Sequence, residues 1–303
     1  MVASLAEVIA GLLLLVGVGV VLRLTGLLSA DEVQPINTVL LYVGVPALVF
    51  RAVHPAKLTP ELLIVAAVAW VVALLAFGLA WLAARALRLG PRSTGALMLA
   101  AALGNTGYIG YPLTLAFLGH TGLVRAVFYD VFGTVLALLT VGFAVASHYG
   151  RAEERVNVLR EIVKFPPVIA VFAALVLHPL PIPNLVSSGI DAFANMTVPL
   201  IMISVGVSLR PTAVREHGFT IGVVGAIKLL AAPLVALLLG RLLFGGAPAI
   251  ERLVVLEAGM PSMMLGLIVG RRFDLDHELI AAAIVVTTAA SAITVPLLQL
   301  LVR

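Results

Sequence analysis

Three ionisable residues lie deep inside long apolar runs of this chain: Asp130, Lys228 and Glu257. A charge at such a depth in a membrane segment is costly, and it marks a functional site unless a partner neutralises it. Glu257 precedes Gly259-Met260-Pro261-Ser262 by two residues and could hold a proton or a cation, or pair with Lys228. Asp130 could serve a proton or ion path or make a structural hydrogen bond. Lys228 could attract an anion or balance a carboxylate. Beside them stands the run Leu103 to Pro112, which reads Leu-Gly-Asn-Thr-Gly-Tyr-Ile-Gly-Tyr-Pro. Its glycines and proline make a poor helix interior, because Gly adds backbone entropy and Pro lacks an N–H. Within lipid, broken backbone is tolerated only where protein or water satisfies the freed groups. Breaks at Gly104 and Gly259 therefore predict a cavity or binding site that the two share.

The chemistry this pattern offers is anion binding. The second half of a broken helix presents free N–H groups and partial positive charge at its start. Those starts are expected near Thr106–Tyr108 and near Pro261–Met263, and Pro261 suits a first helical position. Asn105, Thr106 and Ser262 add hydrogen-bonding groups, Gly107 lies at the first start, and Tyr108, Met260 and Met263 add adaptable apolar walls. Pro46 and Pro199 are expected to break two further segments and open backbone carbonyls, and Pro112 closes the first run. Asn195, four residues before Pro199, is placed to bond the freed carbonyl or a ligand. Taken alone, Pro46 and Pro199 each read slightly better as a packing kink. Glu7 and Asp191 lie nearer segment ends and read as solvated.

The elements that must position these residues follow from composition. The chain is 62% hydrophobic and 11% charged, against about a quarter charged in a soluble domain. A bilayer-spanning helix needs about 20 apolar residues. Ten segments meet the need, at 5–22, 34–52, 61–86, 95–117, 121–147, 164–180, 187–208, 217–243, 250–270 and 277–302. The first has no basic leader or cleavage site and reads as a retained span. Grouping alternate loops puts twelve Lys and Arg on one side, Arg85, Arg88, Arg151 and Arg272 among them, and six on the other. The richer side is expected to be cytoplasmic, with both termini outside the cell membrane.

The chain also repeats weakly. Val8-Ile9-Ala10 and Val168-Ile169-Ala170, Pro46 and Pro199, Gly104 and Gly259, and Thr121 and Asp276 recur in colinear order, 153 to 160 residues apart. Residues 1–148 then form one five-helix repeat, 149–163 a short cytoplasmic linker, and 164–303 the second repeat. An odd number of spans per repeat inverts the second half, the plan of many secondary transporters.

Other classes fit less well. The chain has no cysteine, which removes disulfides and thiolate chemistry. The histidines show no ligand spacing, so no metal or other cofactor is expected. The net charge of +4 sits in loops and does not form a nucleic-acid surface. An intramembrane enzyme needs a nucleophile–base pair or close carboxylates, and the ionisable residues are too sparse for one. A channel needs a continuous pore with polar rings, and none is evident.

At Asn105-Thr106-Gly107-Tyr108-Ile109-Gly110-Tyr111-Pro112, at Phe165-Pro166-Pro167, at Lys228 followed by Pro233, and at Met260-Pro261 followed by Arg272-Phe273-Asp274, the chain resembles the auxin efflux carrier family. The resemblance covers nearly the whole length. It implies an all-α integral membrane protein, ten helices in two inverted repeats, with broken helices 4 and 9 crossing where carboxylates such as auxin, malate or malonate bind. It further implies a scaffold of helices 1, 2, 6 and 7, a moving transport unit of helices 3–5 and 8–10, and a homodimer through the scaffold. The bile acid sodium symporters share a similar architecture, so coupling to H+ or to Na+ both stay open. A reporter active only in the cytoplasm, fused to the C-terminus, is expected to stay silent; a strong signal would rule out the ten-span topology.

Overall fold

The computed structural model describes residues 5–29, 32–151, 157–178, 180–208, 217–245 and 247–302, with side chains from residue 10 onward. The Glu7 side chain, Arg155, Arg210, Arg215, Arg303 and most of the charged run after Arg151 lie outside the described residues.

Helices account for nearly all of the described chain. In order they are α1 (Leu5–Leu24), α2 (Val33–Val53), α3 (Glu61–Ala86), α4 (Pro91–Ala102), α5 (Thr106–Tyr149), α6 (Val158–Lys164), α7 (Pro166–Leu177), α8 (Asn184–Ser208), α9 (Gly218–Phe244), α10 (Pro248–Ala258), α11 (Met264–Arg272) and α12 (His277–Leu301). Among the described residues, six of these are long and apolar enough to cross a membrane: α2, α3, α5, α8, α9 and α12. Shorter apolar helices cover Ala10–Leu24 and Pro166–Leu177. Two expected spans, 95–117 and 250–270, are each divided, because the chain leaves helical geometry at Leu103–Asn105 and at Gly259–Met263. Straight, the 44 residues of α5 would extend about 66 Å, twice a bilayer core. Gly119, at φ 66° and ψ −164°, breaks that run. The expected linker 149–163 is in part helical, since α6 begins within it.

The outer faces are apolar. Leu14, Leu63, Leu185 and Leu242 are each at least two-thirds exposed. A surface of this kind is unfavourable in water and suited to hydrocarbon.

The prolines do not break their helices as the sequence reading expected. Helix α8 runs unbroken through Pro199. Pro46 and Pro112 each follow a five-residue π turn, Leu40–Gly44 and Thr106–Gly110, and Pro233 follows a third, Ile227–Ala231. The reason is steric. An interior proline has no N–H for the carbonyl four residues back, and its ring crowds that carbonyl. A π turn shifts the bonding by one residue: the N–H of Val45 reaches Leu40 and that of Ala232 reaches Ile227, each five residues back. The wider turn absorbs the proline and the helix continues.

The described chain forms two compact units that cut across the sequence halves. One comprises the described residues of Met1–Leu58, Tyr111–Val127 and Val163–Leu209. Within it α2 packs on α7 and α8, and α1 packs on α8. The α1–α8 approach is closest at Gly19 and Gly206, where a methyl group on either would collide with a backbone carbonyl, that of Ile203 or Val16. The other comprises Thr59–Gly110, Phe128–Ile162 and the described part of Arg210–Arg303. Within it α3 packs on α4 and on the second part of α5, where the Trp70 indole donates to the Phe132 carbonyl at 2.8 Å. In the same unit α9 packs on α10, and both α4 and α9 pack on α12. Asp276 caps α12 by accepting the N–H of Leu279 at 3.1 Å.

Gly206→Leu is expected to force α1 and α8 apart and cost roughly 1–3 kcal/mol, the usual range for overpacking. A lowered melting temperature in detergent, with Gly19→Leu lowering it similarly, is the expected result.

Candidate functional site

The two breaks meet. Residues 103–105, after α4, and 259–263, between α10 and α11, run antiparallel and form a bridge between Gly104 and Ser262. The Asn105 N–H donates to the Pro261 carbonyl at 2.7 Å, and the Met263 N–H donates to the Leu103 carbonyl at 3.0 Å. Backbone groups freed by one break are thus satisfied by the other, as a membrane interior requires. The first break resumes helix at Thr106, as expected. The second resumes at Met264, after Pro261 and Ser262 rather than within them. Pro261 is therefore not a first helical residue; its carbonyl is committed to Asn105.

Around this crossing lie the three charges. Asp130, Lys228 and Glu257 are buried, at 3%, 2% and 0% exposure. Each faces one glycine of the first run. A methyl group on Gly104 would stand 3.1 Å from the Lys228 ammonium, and one on Gly107 would stand 3.0 Å from a carboxylate oxygen of Asp130. A methyl group on Gly110 would collide with the Glu257 carboxylate. Gly104, Gly107 and Gly110 are thus the seats of three ionisable groups, a function the sequence reading did not assign. The regular spacing of three was the available signal. The field of Glu257 reaches both Lys228 and the buried Tyr129.

The expected anion seat at Thr106–Tyr108 has a resident. The Thr106 hydroxyl donates to Asp130, whose other oxygen lies against Gly107. The positive end of the half-helix has attracted the chain's own carboxylate, for the electrostatic reason that predicted an anion there. Ser262 also differs from expectation. Its hydroxyl donates to the Ala100 carbonyl at 2.8 Å, and its N–H donates to the Thr287 hydroxyl at 3.0 Å. It clasps α4 to α12, and Thr287, not singled out before, completes the clasp by donating to the Ala283 carbonyl.

Asn105 differs from Thr106 and Ser262 in keeping an unused donor. It is 3% exposed, and its amide nitrogen has no hydrogen-bond partner among the described residues. Met260, Pro261 and Met263 are buried around it, while Gly107 and Tyr108 are half-buried. Asn195 belongs to the other compact unit, where its side-chain oxygen accepts from Arg51 at 2.5 Å. Pro46, Pro112 and Pro199 belong to that unit as well. Among the described residues no group of His, Asp and Glu is arranged to hold a metal.

Paired broken helices carrying buried charges, in a chain with six membrane-length helices among its described residues, are consistent with a membrane transporter. The chain matches the family described as "Membrane transport protein" over residues 4–299 and belongs to that family. This agrees with the resemblance to the auxin efflux carriers. It is 31% identical over 302 residues to "Uncharacterized transporter MJ1031" of Methanocaldococcus jannaschii, and 32% identical over 295 residues to an "Uncharacterized transporter" of Methanothermobacter thermautotrophicus, covering 96% of both chains in each comparison. It is also 28% identical over 286 residues to a Rhizobium meliloti protein named "Putative malonate transporter", covering 88% of this chain and 86% of that one.

Gly110→Ala is expected to displace the Glu257 carboxylate and destabilise the fold by about 1–3 kcal/mol. Removing that carboxylate should relieve the clash. Glu257→Ala should therefore cost less stability in the Gly110→Ala background than in the wild type. Additive effects in this double-mutant cycle, read by thermal melting, would show that the two positions do not meet.

Proposed function

We propose that this protein is a secondary carrier for a small organic anion bearing a carboxylate. The observation that carries the proposal is the Asn105 amide, a buried donor without an acceptor at the joint of two broken helices. Leaving such a donor unsatisfied costs about 1–3 kcal/mol, which an arriving carboxylate oxygen would recover. The start of α11 is the second attraction: it has no side-chain cap, and a helix start carries partial positive charge, although the Gly266 N–H is already taken by the Met263 carbonyl. Lys228, at Gly104, adds a fixed positive charge nearby. The name of the Rhizobium meliloti relative supports a dicarboxylate such as malonate as one substrate to test.

The coupling ion we infer is the proton. Two carboxylates, Asp130 and Glu257, stand against one ammonium, Lys228. If both carboxylates were ionised, an incoming anion would bring a third negative charge to the one ammonium. Buried charge of that kind is relieved most readily by protonation of a carboxylate. The Lys228 ammonium already holds the place where a metal cation would be favoured, so this cluster disfavours the sodium symport alternative. Protonation of Asp130 would also weaken its hold on the start of α5. The buried Tyr129 lies within the field of Glu257.

Transport would follow from movement of the unit carrying the crossover against the other, giving alternating access of the elevator type. The division of the described chain into two compact units, one with the expected segments 1, 2, 6 and 7 together with Tyr111–Val127 from the expected segments 4 and 5, supports a two-part movement of this kind. The test is a thermal-stability screen of the purified protein against carboxylates, with and without sodium, at two pH values. Ligands that bind the folded state raise its melting temperature. We expect a dicarboxylate to stabilise the wild type more at the lower pH, independently of sodium, and to lose that effect in Asn105→Ala, itself still folded. Equal stabilisation of Asn105→Ala would remove Asn105 from the site, and a strict need for sodium would overturn proton coupling.

A further inference from the structure

Far from the crossover along α3, the ends of three helices enclose a second polar site. A cavity of about 330 Å³ is lined by Trp81 and Arg85 in the last turns of α3, by Arg88 just beyond it, by Pro91 and Thr94 in the first turn of α4, and by Tyr149, the last residue of α5. All belong to one compact unit. The Arg85 guanidinium is held by a side-chain contact, and Arg88 is placed at the cavity by its backbone. Arg85 stacks over the Trp81 ring at 5.1 Å from its centre. Arg88 sits in the left-handed region, at φ 53°, where the chain turns out of α3 and the Leu89 N–H reaches back to the Ala84 carbonyl at 3.0 Å. That position normally takes glycine.

Neither arginine has a carboxylate partner among the described residues. The contrast with the next arginine is direct: Arg92 pairs with Asp274, its Nη2 at 2.5 Å from Oδ1 and its Nε donating to the carbonyl at 2.6 Å. Asp274 is thus committed to Arg92, and the described lining of the cavity holds two positive charges and no negative one. A polar anion with several acceptor oxygens matches it, and planar guanidinium groups suit a phosphate.

Its location identifies the source of that phosphate. The cavity lies at the end of a membrane-length helix, with Trp81 and Tyr149 in its lining, residue types that favour the headgroup level of a bilayer. Val71 and Leu74, both exposed, lie at helical spacing on the face of α3 that carries Trp81 and Arg85. Acyl chains would lie along such a track, whereas a free anion has no use for it. We propose that this pocket binds the phosphate of an anionic phospholipid from the surrounding membrane. The site is separate from the carrier site proposed above and does not depend on it.

Native mass spectrometry of the purified protein in neutral detergent tests this, by titration with phosphatidylglycerol, phosphatidylcholine or inorganic phosphate. Phosphatidylglycerol is expected to bind and phosphatidylcholine is expected to bind far more weakly. Phosphate at matched concentration is expected not to compete. Arg85→Gln with Arg88→Gln should weaken phosphatidylglycerol binding about tenfold or more, as loss of two surface charges implies. Arg241→Gln, outside the pocket, should leave it unchanged. Equal binding by the double variant and the wild type would overturn the proposal. So would equal affinity for the two lipids, and competition by phosphate would assign the pocket to a free anion. If the double variant does not fold, the three wild-type titrations decide alone.

Discussion

Three positions without side chains, Gly104, Gly107 and Gly110, make the centre of this protein possible. Each leaves room for one ionisable group, Lys228, Asp130 and Glu257 respectively. Burial of a charge carries a penalty of several kcal/mol unless opposite charge and hydrogen bonds compensate it. The broken segment supplies compensation on both counts. Its glycines admit the charged ends close to the backbone, and its breaks expose the N–H groups that a carboxylate can use. Asp130 sits at the start of α5, accepting from the Thr106 hydroxyl with its other oxygen against Gly107. A methyl at any of the three positions would push a charge away from the groups that stabilise it. The packing requirement and the electrostatic requirement are therefore the same requirement.

The π turns serve the same end. Thr106, Asp130 and Lys228 all lie in them, in Thr106–Gly110, Tyr129–Val135 and Ile227–Ala231. A π turn is wider than an α turn and frequently accompanies functional positions. In two of these three cases a proline follows within two residues of the turn's end, Pro112 and Pro233. The proline removes a donor and the π turn redistributes the bonding, so the irregularity stays local and the helix carries on towards the other face of the membrane.

Much of this was legible in the sequence. Asp130, Lys228 and Glu257 stood out because an apolar run offers few tolerable surroundings for a charge, and the breaks stood out because Gly and Pro have few uses inside a membrane helix. That the breaks pair was inferred from their repeat spacing, and the Gly104–Ser262 bridge joins them. What could not be read was which group would occupy which vacancy. The start of α5 attracts any carboxylate, and nothing local to Thr106 says that Asp130, 24 residues on, reaches it first. Ser262 looked like a ligand group because its acceptor, Ala100, lies 162 residues away. Pro46 and Pro199 looked like breaks because the cost of an interior proline is local, while the π turn or the packing that absorbs it is not. The compact units draw on both sequence halves, and a repeat read along the chain does not announce that.

The halves of the crossing are also unlike, and the difference bears on how a carrier of this build would work. At the second break the polar groups are taken: the Pro261 carbonyl accepts from Asn105, and Ser262 is bonded through both its N–H and its hydroxyl. At the first break the backbone is bonded in the same way, yet the Asn105 side chain is left with an unused donor. One side of the crossing is therefore a clasp and the other a contact point. On the reading of a proton-coupled anion carrier, this separation is useful. A substrate can come and go at Asn105 without opening the clasp that keeps the two broken helices together. The charges seated on Gly104, Gly107 and Gly110 stay in the same compact unit as the clasp, so any movement of that unit carries the balancing ammonium along with the carboxylates. An anion loaded there would cross with its counter-charge already in place, and the proton would settle only the remaining imbalance.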